Sequence, residues 1–203
     1  MLQGKTVDPV AAKEEYIGLF KQNITRDGAD KLLEFLEKSD FFTAPASSRF
    51  HNSVEGGLCQ HSLNVYYCLK DYLDSNYFKN VFGFSYSEET IAVAALLHDV
   101  CKVNNYTVDY RNAKNDEGVW EKVPFYKTDD KVPYGHGEKS VYITSAYIHL
   151  SREEAMAIRW HMGFTEHDHI GQCGQAFEMF PLAFALSTAD MMATYFVEGR
   201  PDK

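Results

Sequence analysis

The chain of 203 residues has no stretch approaching the roughly 20 consecutive apolar residues of a membrane span, which predicts no transmembrane helix. Its opening, MLQGKTVDPVAAKEEY, lacks the basic flank and apolar run of a signal peptide, so a cytoplasmic protein is expected. Positive charge is scarce: 20 Lys and Arg face 29 Asp and Glu, a formal net charge of −9. Nonspecific attachment to nucleic acid or anionic lipid depends on accumulated basic residues, so long nucleic acid and membrane are disfavoured as partners. The four cysteines, Cys59, Cys68, Cys101 and Cys173, form no Cys-x-x-Cys pair. That argues against a zinc knuckle or a disulfide frame and predicts reduced, mostly buried thiols with no assigned chemistry. No repeat, low-complexity tract or linker divides the chain, and its length and 45% hydrophobic content suit one sizeable core. A single domain over residues 1–203 is expected.

Helical periodicity is what the sequence does contain. ADKLLEFLEKSDFF places Ala29, Leu32, Leu33 and Leu36 on one stripe and predicts a helix ending near Ser39. TAPASSRFHNSVEGG has loop composition, and LCQHSLNVYYCLKDYL then resumes helical spacing with His61 early in the run. Further helices are predicted at SEETIAVAALLHDVCK, GEKSVYITSAYIHL, SREEAMAIRWHM and FPLAFALSTADMMATYF. Ser87 with Thr90 and Ser151 with Glu154 stand at N-capping distance, the second pair with capping-box spacing. Between them NYTVDYRNAKNDEGVWEKVPFYK alternates, turns through Asn115 to Gly118, and alternates again. It predicts a β-hairpin over about residues 104–128, either a solvent-side decoration or a flap that contacts substrate. The expected fold class is all-α, a helical bundle with an inserted hairpin.

The stretch AALLHDVCK sets His98, Asp99 and Lys102 at the end of a segment built for burial. His61, the pair His98 and Asp99, His136, His161 and Asp190 each fall on, or at the mouth of, a different predicted helix. Bundles assemble metal sites in this way, one residue per helix. Buried carboxylates are costly unless paired or metal-bound, and both Asp99 and Asp190 lie in apolar surroundings. Histidine and aspartate together suit Mn, Fe, Co, Ni or Zn better than Ca or Mg. Lys102, three positions after Asp99 on the same helical side, is a partner for Asp99 or a bound phosphate, or a last-turn lysine favoured by the helix dipole. Arg49 and His51, just before the glycines, are candidate phosphate or base contacts, and His167 with His169 forms an exposed His-x-His.

The order His61, His98-Asp99, Asp190 resembles the H…HD…D signature of the HD-domain superfamily of metal-dependent phosphohydrolases, over roughly Phe50 to Phe196. RFHNSVEGGLCQHSLNV and ALLHDVCK are similar to the HD modules of bacterial 3′-to-5′ exoribonucleases and of small stand-alone HD hydrolases. His136, opening GHGEKS, and His161 match the two extra histidines of binuclear members. The resemblance implies an HD core over residues 50–196 behind an N-terminal helical extension over 1–49. It also implies two divalent transition-metal ions: His61, His98 and Asp190 on one, His136 and His161 on the other, and Asp99 bridging. Metal-activated hydroxide then attacks the phosphorus of a nucleotide or other small phosphoester, mono- or diester, with Asp99 and Lys102 as catalytic residues. Two further readings stay open: a di-iron oxygenase of a small molecule, and a noncatalytic nucleotide or metal sensor.

Overall fold

The structure, a computed structural model, describes residues 7–198; residues 1–6 and 199–203, at the ends of the expected extension and domain, lie outside the described residues. Helix α1 (Pro9–Asn23) starts at Asp8, whose carboxylate accepts from the N–H groups of Val10 and Ala11 at 3.1 Å each. Pro9 fits this first position, where no intrahelical hydrogen bond is lost. Helix α2 (Ala29–Lys38) buries the expected stripe of Ala29, Leu32, Leu33 and Leu36 and is capped by Ser39. Helices α3 (Gly57–Leu73), α4 (Glu88–Leu97), α6 (Arg152–Trp160) and α8 (Pro181–Met192) pack on one another through an apolar core, with α1 laid across α3 and α4. The N-terminal extension shares that core: Tyr16 stacks among Phe20, Phe41 and Phe42, and its hydroxyl donates to the carbonyl of Leu96 at 2.9 Å.

Helices α5 (His136–Ser145) and α7 (Ile170–Met179) flank this group. The capping box of α6 forms as expected, with the Ser151 hydroxyl accepting from the Glu154 N–H at 3.2 Å and the Glu154 carboxylate from the Ser151 N–H at 2.8 Å. The hairpin also forms: β1 (Tyr106–Lys114) pairs antiparallel with β2 (Trp120–Thr128), from Tyr106↔Thr128 to Lys114↔Trp120. Asn115 closes it, its N–H bonding to Val119 O at 3.0 Å and its side chain accepting from Glu117 and Val119. Most of the ribbon is exposed, and its root is tied by the Asp129 N–H to Asn105 O at 2.9 Å.

Three expectations of helix extent need correction. The helix through SEETIAVAALLHDVCK stops at Leu97; Asp99 leaves helical geometry at φ −107°, ψ 17°, and Val100–Lys102 form a 3-10 turn. Tertiary partners cause the break, because the Cys101 N–H donates to Ser140 Oγ on α5 at 3.1 Å instead of continuing the helical ladder. Helix α5 ends at Ser145, since Ile148 and Leu150 turn into the core. The last helix changes at Met192 into a wide π-turn over Ala193–Glu198. Helix α7 was not anticipated: its run IGQCGQAFEM carries two glycines, and only Cys173 and Ala176 are buried. Among the described residues, no single helix is long and apolar enough to cross a membrane.

Candidate metal centre

The loop before α3 folds back onto it at Gly57, where a Cβ would lie 2.0 Å from Asn52 O. This close approach, open only to glycine, brings the His51 ring to 4.8 Å, centroid to centroid, from that of His61 one turn into α3. His98 and His161 occupy equivalent places, each just past the last residue of a core helix. His98 Nδ1 donates to Ala95 O and His161 Nδ1 donates to Ile158 O, both at 2.7 Å. A carbonyl only accepts, so both protons are fixed on Nδ1 and both Nε2 atoms present a lone pair. His61 Nδ1 lies 2.8 Å from Glu198 Oε1, which orients that ring in the same sense.

The three Nε2 atoms converge on two carboxylates. His61 Nε2 is 3.3 Å from His98 Nε2 and 3.2 Å from Asp190 Oδ1. Asp99 Oδ2 lies 3.4 Å from His98 Nε2 and 3.6 Å from His61 Nε2. The other oxygen, Asp99 Oδ1, lies 2.9 Å from His136 Nε2 and 3.5 Å from His161 Nε2. Lone pairs facing each other at such distances repel unless a proton or a cation stands between them. His161 Nε2 is buried and has no hydrogen-bond partner. A transition-metal ion fits this donor set of imidazole and carboxylate, and it satisfies the orphaned nitrogen.

The electrostatics express the same need for positive charge. Burial works to raise the Asp99 pKa, but the Lys102 ammonium, 2.5 Å from Oδ2, and after it His98 hold it well below the usual carboxylate range. Lys102 is raised in turn: burial opposes its charge and Asp99 prevails. Burial also opposes charge on His61, yet the carboxylates of Glu198 and Asp190 outweigh it and push the imidazole up to about 10. His136 rises to about 9, with burial opposed by its hydrogen bond to Asp99 and then by Cys101. His51 moves the other way, to about 4, chiefly through burial and then through the charge of His61. In the metal-free protein, protons occupy the place that the geometry offers to a cation.

Helix α5 carries His136 to the cluster by crossing α6 at Gly137, where a Cβ would fall 2.1 Å from Arg159 O. The rings of His136 and His161 are thereby 5.2 Å apart. Beside them opens a cavity of about 330 Å³ whose walls include Cys101, Lys102, His136 and Lys139, together with Tyr106 and Thr128 from the hairpin root. Lys139 is buried and its Nζ lies 2.6 Å from Asp130 Oδ1. A larger hollow of about 460 Å³ runs along residues 20–31 and holds no imidazole or thiol.

The structure thus brings together His61, His98, Asp99, Lys102, His136, His161 and Asp190, with His51 half-buried at their edge. Arg49 stands exposed on the preceding loop. His167 and His169 lie on an exposed 3-10 turn outside the cluster, His169 Nδ1 pairing with Glu166 Oε2 at 2.9 Å. Three residues of the site went unread in the sequence: Glu198, Cys101 and Lys139.

Residues 58–190 match the HD domain family model, well over half of the chain. The chain belongs to the HD domain family. It is also similar to dihydroneopterin 2′,3′-cyclic phosphate phosphodiesterase of Methanocaldococcus jannaschii, at 29% identity over 86 residues, which is 42% of this chain and 31% of that protein. The match therefore spans about a third of the curated relative's length. No solved structure matches the chain.

Proposed function

We propose that this protein is a metal-dependent phosphohydrolase that acts on a nucleotide or other small phosphoester with two transition-metal ions held on either side of Asp99. One observation carries the reading: oriented Nε2 lone pairs of His61, His98 and His161 meet two carboxylates beside a cavity lined by Lys102 and Lys139. His61, His98 and Asp190 would hold one ion and His136 and His161 the other, with Asp99 shared between them. Ions of Mn, Fe, Co, Ni or Zn in these places supply Lewis-acid polarisation of phosphoryl oxygens and activation of water.

The chain supplies the rest. Glu198 and the carbonyls of Ala95 and Ile158 hold three imidazoles in their tautomers, so no ligand must reorient. Lys102 neutralises Asp99 in the resting site and faces the cavity, where its ammonium receives a non-bridging phosphoryl oxygen. Lys139 lines the same cavity with its charge paired to Asp130, which lines it too. The volume of about 330 Å³ is at the small end of ligand pockets, and Tyr106 and Thr128 of the hairpin root close one side. Net charge of −9 disfavours long polyanions. The relative from Methanocaldococcus jannaschii is named for hydrolysis of a small cyclic phosphodiester, in keeping with this substrate class.

The test is a panel of phosphomonoesters, cyclic phosphodiesters and long RNA, offered to protein reloaded with each ion in turn. Hydrolysis of small esters that requires the ion is expected, and Lys102→Ala is expected to retain the ions while losing roughly 10- to 1000-fold in turnover. Absence of phosphoester turnover with every ion, dioxygen consumption in its place, or preference for long RNA would each overturn the reading.

A further inference from the structure

Cys101 lies two residues beyond Asp99, in the 3-10 turn that interrupts the chain after α4. Its backbone is pinned by Ser140 Oγ, and the side chain is 3% exposed. Sγ stands 3.6 Å from His136 Nε2, and Sγ, the Asp99 carboxylate and His136 have donor atoms within 4.8 Å of one another. A tetrahedral ion with bonds of about 2.0–2.1 Å to nitrogen and about 2.3 Å to sulfur holds those two atoms ~3.5 Å apart. A second observation marks the carboxylate oxygen beside it: His161 is 1% exposed, its Nε2 has no hydrogen-bond partner, and that atom lies 3.5 Å from Asp99 Oδ1, which His136 Nε2 approaches at 2.9 Å.

We infer that Cys101 Sγ is a ligand of the ion on the His136 side, beside Asp99 and His136. The inference rests on the metal reading above and adds a soft donor to it. Coordination replaces the thiol proton, which leaves to water. A thiolate biases this ion toward Zn, Co or Fe(II) and against Mn or Mg, whereas the site of His61, His98 and Asp190 has no sulfur donor. The three remaining cysteines are internal controls: Cys59 Sγ donates to Ala12 O at 3.4 Å, and none of the three belongs to a metal-competent group among the described residues.

Cobalt(II) titration of the full chain, followed by absorption, tests this. Visible ligand-field bands report the ion in either half, and a near-ultraviolet sulfur-to-cobalt charge-transfer band reports thiolate ligation. The band should appear, survive substitution of Cys59, Cys68 and Cys173, and vanish in Cys101→Ser and Cys101→Ala, with tightly held cobalt falling from two ions to one. Circular dichroism of both variants separates ligand loss from misfolding. Ligand-field bands for two ions with no charge-transfer band, or a band that persists in Cys101→Ser, would overturn the role of Cys101 and leave the metal reading standing. Absence of any cobalt binding by the folded wild-type chain would overturn both.

Discussion

The half of the cluster around His61 and the half around His136 both use imidazole and carboxylate and differ in how each is held. His61, His98 and Asp190 come from α3, the end of α4 and α8, all elements of the apolar core. Both of these imidazoles are at most 1% exposed, and each has its second nitrogen tied, to Glu198 or to Ala95 O. His136 instead opens α5 directly after a loop, its side chain is 32% exposed, and it borders the cavity. In the second half only His161 is anchored as firmly, through Ile158 O. On the proposed reading the difference separates two tasks: a rigid half keeps geometry, and an open half lets substrate in.

The largest test of that comparison removes the group common to both halves. In Asp99→Asn the amide carries no charge for either ion, so ion content should fall from two to at most one and turnover by on the order of 1000-fold or more. Elemental analysis and hydrolysis rates together check it; two retained ions and an unchanged rate would mean the halves do not meet at Asp99.

A smaller effect is expected from loosening the firm half alone. Glu198 accepts from His61 Nδ1 at 2.8 Å and from Asn64 Nδ2 at 3.0 Å, and Glu198→Gln removes the charge that orients the ring. Groups that orient metal-bound histidines typically account for roughly 10- to 100-fold in metal affinity. Competition against a chelator should show that loss for one ion and leave the other unchanged. Equal weakening of both would erase the proposed independence of the halves.

The smallest effect is a change of sign with pH. His61 and His136 are raised to about 10 and about 9 from an ordinary 6.5, so in the metal-free protein their protons stabilise the fold fully below pH 6.5. That stability drains away as pH climbs through 9 and then 10. The melting temperature of the metal-free chain should therefore fall across this window, by about 2–4 °C for each kcal/mol lost. Loaded protein should show no fall, or a rise, because the ions take the place of those protons and bind more tightly as protons leave. Parallel curves for the two forms would separate the titration from the metal site.

What could be read in advance was what neighbours in sequence decide. The stripe of Leu32, Leu33 and Leu36, the Ser151 capping box and the hairpin turn at Asn115 are local, and they appear where periodicity and turn chemistry put them. His98, Asp99 and Asp190 stood out because each is polar within an apolar run, and His61 because it falls early on a predicted helix behind two glycines. The break at Asp99 was invisible, since AALLHDVCK has neither Pro nor Gly and the partner that causes it, Ser140, lies on another helix. Cys101 read as packing for the same reason: nothing near it in sequence announces His136. Lys139 and Glu198 likewise take their meaning from Asp130 and His61, which arrive only with the fold. Helix α7 is held by its neighbours against a glycine-bearing sequence that local propensity would leave as loop.

The crossing at Gly137 sets the bite of the open half. His136 precedes this glycine and His161 follows Arg159 by two residues, so both imidazoles hang from one point where two backbones touch. An added methyl would sit 2.1 Å from the Arg159 carbonyl, where ordinary contact needs at least 3.4 Å, and the helices would part by more than an ångström. Metal–ligand bonds tolerate about 0.2 Å. On the proposed reading the missing carbon works as the stop on a calliper: the side chains choose the kind of ion, and the hydrogen on Gly137 fixes the width of the jaws.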